Sequence, residues 1–400
     1  MSTINVLQTN QRYMTWFGIY SHQVNEPTNE FFKRPLPYYL QTVNALALIA
    51  SWMYFMNNRS SDFKTAMGGI KITFALVQCG GVYFNLGYKM INMKAMHLKL
   101  QETVDAGVGE GYRIYWENEQ RCRTYTRNIC SFIFFHVSAF MLVLIPVIYH
   151  IYRGEYDTTN WNLFFYMVVP FDQTHVPGYL LMWLFQFNTA FFYVSTMTTL
   201  TSYFASCCFY IDAMCNYFGY LIRSINEDLK QNTDENRLKL KVSIDKLSQL
   251  IKFHVDIFDT FYRLANINGG SILALLPVNC IFMAISIYDV EHYIKNFEPS
   301  HLLFDVSCIV CSLSWPSLMC YFASLATDKI ASLGDVAYGS DWDKYPLSIR
   351  KYIILIIARS QEPVYFTGMN LVNCTLEVLG KLCKTGGSCY LMFRTLEQRR

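Results

Sequence analysis

Residues 177–210 read PGYLLMWLFQFNTAFFYVSTMTTLTSYFASCCFY, an apolar run without one acidic or basic side chain. About 20 apolar residues suffice to cross a hydrocarbon core of roughly 30 Å. This run is longer than that, so it either tilts or continues as a helix beyond the bilayer. Working outward, six further apolar runs occupy 36–56, 68–91, 129–152, 266–289, 301–326 and 374–393. A shorter one at 352–358 cannot cross. The expected fold is an all-α membrane protein with seven transmembrane helices.

Composition agrees. The 400 residues are 52% hydrophobic, 16% aromatic and only 16% charged, against about 25% charged in an ordinary soluble domain. A net charge of +3, with Lys and Arg scattered between the apolar runs, gives no basic face for nucleic acid. The start, MSTINVLQTNQRYMTWFGIY, lacks the cationic segment, apolar run and small-residue site of a cleaved leader, so the first span is expected to direct insertion. Most of the 13 cysteines lie in spans (Cys79, Cys130, Cys207, Cys208, Cys280, Cys308, Cys311, Cys320) and read as free thiols packed as small apolar groups. None pairs with histidine at metal-ligand spacing, and no cofactor is implied.

Orientation follows from the basic residues. With the N-terminus inside, the inner segments 1–35, 92–128, 211–265 and 327–351 hold 21 of the 33 Lys and Arg, and the outer segments 57–67, 153–176, 290–300 and 394–400 hold 7. Asn58-Arg59-Ser60 in the first outer loop is a glycosylation acceptor. Seven spans from an inner N-terminus put the C-terminus outside, the reverse of a G-protein-coupled receptor. The Asp-Arg-Tyr and Asn-Pro-x-x-Tyr signatures of that class are absent too.

The expected organisation is a cytoplasmic N-terminal segment at 1–35 and six membrane helices with cytoplasmic extensions at 36–326. Cytoplasmic anchor helices follow at 327–373, then a last membrane helix with an outer tail at 374–400. In 221–265, Leu238, Val242, Leu247, Leu250, Ile251, Val255 and Phe258 recur at helical spacing among charges, which predicts amphipathic helices reaching out of the membrane. Ser332, Leu333, Ala337 and Trp342 predict a short helix and a turn at Gly339-Ser340. A second helix from near Pro346 carries Leu347, Tyr352, Leu355 and Ile356 and stops at Pro363.

Three stretches carry a resemblance: MCYFASLATDKIASLGDVAYGSDW at 319–342, LIIARSQEPVYFTG at 355–368 and GGSCYLMFRTL at 386–396. Ser332, Ala337, Tyr338 and Trp342, then Arg359, Gln361 and Pro363, resemble the shared stretches of the insect odorant receptor family, as does Trp16-Phe17-Gly18-Ile19 near the start. Gustatory-type relatives end in a Thr-Tyr followed at a distance by Gln-Phe, a pattern missing here. The resemblance implies a ligand-gated, non-selective cation channel in the plasma membrane of a sensory neuron. Four subunits would surround one pore, joined by cytoplasmic helices, with the tuning subunit assembling with the olfactory co-receptor Orco. The last span would line the pore at Ser388, with a gate near Phe393 and Arg394, Leu396 and Glu397 around the outer mouth. Arg394 reads equally as an anchor snorkelling to the interface.

The family's pocket lies within one subunit, among the outer halves of the second to sixth spans, and takes a small volatile or apolar ligand. At that depth stand Gln78, Val82 and Tyr83 on the second span, Ser138 and Leu142 on the third, Phe192 and Thr196 on the fourth, and Cys308 and Ser312 on the sixth. Each reads alternatively as helix packing. His136, Gln186 and Asn188 are polar groups within spans, available to a ligand or to a neighbouring helix. A membrane enzyme would place paired His or Asp residues within a span, whereas Asp289 and Asp305 stand at span ends. A transporter would show two related halves, and none is visible.

Overall fold

The computed structural model describes residues 4–19, 34–59, 63–107, 109–142, 148–149, 151–154, 165, 167–170, 175–230, 237–296, 299–345 and 347–398. Among them are ten α-helices: α1 (Gln8–Trp16), α2 (Pro35–Asn58), α3 (Phe63–Tyr88), α4 (Met90–Asp105), α5 (Glu110–Leu142), α6 (Val176–Lys230), α7 (Arg237–Asn296), α8 (Pro299–Tyr338), α9 (Leu347–Gln361) and α10 (Leu376–Gln398).

Helix α6 is one unbroken rod of 55 residues and α7 one of 60. At 1.5 Å per residue they run about 80–90 Å, far beyond the roughly 30 Å of a hydrocarbon core. The long fourth run therefore continues as a helix, and the amphipathic stretch after residue 237 is the first half of α7. Helix α8 likewise runs without a break to Tyr338, so the expected short helix at 332–337 is the end of a 40-residue one. The turn follows where the sequence puts it: Gly339 N–H donates to Asp335 O at 2.8 Å and Ser340 N–H to Ala337 O at 3.3 Å. Among the described residues, Ala66–Tyr88, Asp245–Lys295 and Leu302–Tyr338 are long and apolar enough to cross a membrane by composition alone. Helices α2, α5, α6 and α10 have the length.

Between α9 and α10 lies an element that the helical spacing does not announce. Strands β1 (Thr367–Gly368) and β2 (Val372–Asn373) form a two-residue antiparallel hairpin. Met369 and Asn370 at its tip both have positive φ, 50° and 61°, and Leu371 N–H closes the turn on Gly368 O at 2.9 Å. That is the turn whose twist matches a hairpin. The hairpin wedges against α7: a Cβ on Gly368 would stand 2.9 Å from Leu273 N, so only glycine allows the approach. Phe366, just before it, is buried against Phe204 at 4.9 Å and Phe261 at 4.3 Å.

The core is continuous along α3, α6, α7 and α8, with Tyr203, Phe204, Phe218, Phe261 and Trp315 buried within it. Two of these helices carry internal prolines, Pro277 in α7 and Pro316 in α8. Proline offers no N–H to the carbonyl four residues back. For Pro316 that carbonyl is Ser312 O, and the Asn279 side-chain amide of α7 donates to it. The proline position of α8 is thereby tied to α7.

Candidate functional site

Helix α3 runs antiparallel to α7 and sets the site out by depth. Lys71, Gln78 and Val82 recur at i, i+7 and i+11 on one face of α3. At one end, Lys71 Nζ donates to Asp289 Oδ2 of α7 at 2.5 Å and to Asp305 Oδ1 of α8 at 2.7 Å, with all three side chains buried. Removing these charges from water costs several kcal/mol per ion unless each meets a partner. One cation between two carboxylates meets that condition and holds three helices at one point. Cys308 lies beside this cluster, one turn along α8 from Asp305.

The middle layer is polar but neutral. Gln78 Nε2 donates to Leu275 O at 3.2 Å, and Gln78 Oε1 accepts from Tyr193 OH of α6 at 3.2 Å. Tyr193 meets Trp315 of α8 edge-on at 5.6 Å. Ser312 is buried, its hydroxyl donating to Ile309 O at 2.8 Å. At the far end, Tyr83 packs edge-on against Phe192 at 5.0 Å and its hydroxyl donates to Gly18 O of the N-terminal segment at 3.0 Å. Val82 is buried there as well, and Thr196 sits beside the Cys79 thiol.

The candidates are spread along α3 from the Lys71 cluster to the end held by the N-terminal segment. Cys308, Gln78 and Ser312 belong to the Lys71 end and the middle, whereas Val82, Tyr83, Phe192 and Thr196 belong to the end held by the N-terminal segment. The Ser138, Leu142 and His136 side chains lie outside the described residues. Gln186 bonds to the segment that precedes α6. It clamps the loop at Phe165, donating to Phe165 O at 2.9 Å and accepting from its N–H at 3.3 Å. Asn188 accepts from Tyr39 OH near the start of α2 at 3.3 Å. A cleft of about 300 Å³ is lined by Asn5, Val6, Gln8, Gln11, Arg12 and Gln101 instead of by these side chains.

Helix α10 packs along α7 by one stripe. Leu382 O accepts from the Cys280 thiol at 3.1 Å, and a Cβ on Gly386 would stand 3.3 Å from Cys280 O and closer still to the Met283 methyl. One turn on, Tyr390 OH donates to Glu291 Oε2 of α7 at 2.6 Å, and Arg394 lies 3.8 Å from Glu291 Oε1. Hydrogen bonds from Lys295 first, then from Tyr390, hold the Glu291 carboxyl below the usual carboxylate range. The opposite side of α10 is open: nothing lies within 4 Å of a Cβ on Gly387, and Leu391, Met392 and Leu396 are exposed. Ser388 is exposed with its hydroxyl on Lys384 O, Phe393 is half-buried, and Glu397 is exposed.

Sequence reading missed the Lys71 cluster, although its signals were present: one lysine inside an apolar span and aspartates at the facing ends of two others. It also missed Glu291, which as a lone acidic residue past a span end carries no signal. Among the described residues no group of His, Cys, Asp or Glu could hold a metal ion.

With this geometry in hand, comparisons place the chain. The sequence profile of a family described as 7tm odorant receptor matches residues 77–386. Odorant receptor 67c of Drosophila melanogaster is 20% identical over 389 residues, 94% of this chain and 92% of that protein. Odorant receptor 85f of the same species is 21% identical over 169 residues, 42% of this chain and only 40% of the relative's length. Among solved structures, the insect olfactory receptor OR5 from Machilis hrabei in complex with eugenol superposes with a TM-score of 0.76 at 15% identity, covering 98% of both chains. The fold is the seven-transmembrane helical fold of that receptor.

Proposed function

The chain belongs to the 7tm odorant receptor family, whose members are ligand-gated channels and not enzymes, and from that premise we propose that it is the odorant-tuning subunit of a non-selective cation channel. It assembles with the olfactory co-receptor Orco in a four-subunit channel in the plasma membrane of a sensory neuron. Its N-terminus faces the cytoplasm, its C-terminus faces outside, and α10 lines the pore. The observation that carries this reading is the one-sided attachment of α10: the Leu382, Gly386 and Tyr390 stripe packs on α7, while Gly387 and Leu391 face open space. A helix held to its own subunit along one stripe is free to present the other to a shared axis.

A small volatile ligand is bound among α3, α6, α7 and α8. The neutral layer of Gln78, Tyr193 and Ser312 offers a few hydrogen-bonding groups in an aromatic surround, the composition expected for such ligands. Cys308 stands above this layer, and Val82, Tyr83, Phe192 and Thr196 form its base. Ser138 and Leu142 complete the candidate set from the third span. The pore residues are Ser388, Leu396 and Glu397 on the exposed side of α10, with Phe393 and Arg394 at the border of the stripe that meets α7. An apolar ring at Phe393 closes a pore by excluding water.

Asn58, the last residue of α2, is the glycosylation acceptor, and a glycosidase-sensitive mass shift lost in Asn58→Gln would support that assignment. Co-expression with the co-receptor and recording across a panel of volatiles tests the channel reading. Odorant-evoked current that needs both subunits supports it. Labelling of intact cells by a tag at residue 1 but not at residue 400 would overturn it.

A further inference from the structure

Asp289 and Glu291 stand two residues apart on α7, which turns them about 200° around the helix and onto opposite faces. Asp289 faces inward to Lys71, which also holds Asp305. Glu291 faces α10, accepting from Tyr390 OH at 2.6 Å with Arg394 at 3.8 Å. On α10 the residues at 382, 386, 390 and 394 repeat every four positions and form one stripe.

The contacts along that stripe differ in kind. At 382 and 386 they are close and largely apolar, resting on a glycine against Met283 and Cys280. Such packing holds two helices together yet opposes rotation and sliding weakly, because dispersion is not directional. At 390 and 394 the contacts are hydrogen-bonded and charged, and they fix both distance and direction. Rotating α10 by one residue would carry Tyr390 about 100° away from Glu291.

Two residues away, the α7 backbone is held by a buried ion cluster that cannot slip without stranding a charge. The outer end of α7 is thus clasped on both sides. A displacement of α3 or α8 reaches α10 across a single helix diameter of about 10 Å.

We propose that Glu291 is the positioning residue that sets the rotation of the pore helix, and that odorant-driven movement at Lys71, Asp289 and Asp305 reaches the pore through it. The proposal rests on the reading of α10 as pore-lining.

Its test uses the full chain with the co-receptor, comparing wild type, Glu291→Gln, Tyr390→Phe and the double variant, with surface labelling to confirm equal delivery. Each single variant is expected to shift the half-maximal odorant concentration or the odorant-independent current by about tenfold, the size of a charge-assisted hydrogen bond. The double variant is expected to do no more than either single, because both remove one contact. Effects that multiply, or single variants matching wild type, would overturn the proposal. Lys381→Ala, which removes an exposed pair with Glu377 in the first turns of α10, should leave the response within about twofold.

Amide hydrogen exchange on the purified full chain without odorant gives a second readout that needs no current. Glu291→Gln should speed exchange in residues 388–396 and leave 376–382 unchanged. Equal exchange throughout would overturn the proposal even where wild type conducts. A wild type that conducts nothing while the exchange pattern holds would instead remove the channel reading and keep the contact.

Discussion

Two buried acidic clusters stand at opposite ends of the bundle and are built differently. At one end, Lys71 is the single cation for Asp289 and Asp305, joining α3, α7 and α8. At the other, Glu119 of α5 accepts from Tyr210 OH at 2.6 Å, from Leu7 N–H at 3.3 Å and from Arg123 Nε at 3.0 Å. Asn10 of α1 extends that network, donating to Ser202 Oγ at 3.0 Å and accepting from Thr126 Oγ1 at 3.0 Å and Ser206 Oγ at 3.3 Å. The first cluster concentrates its balance in one side chain, whereas the second spreads it over many donors, one of them on the partly exposed Arg123. The first should fail all at once and the second by degrees.

The largest expected effect breaks the first cluster. Lys71→Met leaves two carboxylates buried together and should cost about 3–5 kcal/mol, read as a fall in thermal midpoint of the purified protein or loss of surface delivery. Adding Asp289→Asn and Asp305→Asn removes the stranded charges and should restore most of the loss. If the triple variant is no better than Lys71→Met alone, the cluster is not what the charge argument says it is. At the second cluster Glu119→Gln keeps an acceptor and should cost only about 1–3 kcal/mol. A loss equal to that of Lys71→Met would erase the contrast.

Next comes pH. Burial pushes His97 down to about 4, and burial with Arg359 nearby does the same for His254. A histidine that is neutral when folded and takes up a proton more readily when unfolded stabilises fully above the unfolded value near 6.5. That contribution is lost as pH falls from there towards 4. At pH 5.5 each site should have given up about 1.4 kcal/mol, so the thermal midpoint should drop between pH 7 and 5.5, and by less in His97→Gln. The smallest effect belongs to Lys295→Ala, which breaks an exposed pair within α7 worth roughly 0.5 kcal/mol or less.

The same contrast explains what could be read from the sequence. Apolar runs and breaker residues declare helices locally, so the spans, the turn at Gly339-Ser340 and the stop before Pro363 were legible. The continuity of α7 was not, because its first half is amphipathic and its second apolar, and each half reads as its own segment. Lys71 is 218 positions from Asp289 and 234 from Asp305, and nothing local in each residue shows that they meet. The hairpin at 367–373 was hidden by its two-residue strands, too short for alternation to register. The extent of α6 was hidden for a related reason: it is helical over 55 residues, and an apolar run does not show where the helix that contains it stops.

The central claim is that α10 lines a ligand-gated pore with the face that turns away from α7, and Gly387, with nothing within 4 Å of its Cβ position, is the place to probe it. In a chain carrying Cys383→Ser and Cys389→Ser, with Gly387→Cys and the co-receptor present, a charged water-soluble thiosulfonate should block odorant-evoked current, and faster with odorant than without. Unchanged current after complete modification of that cysteine, verified by mass, would contradict the account.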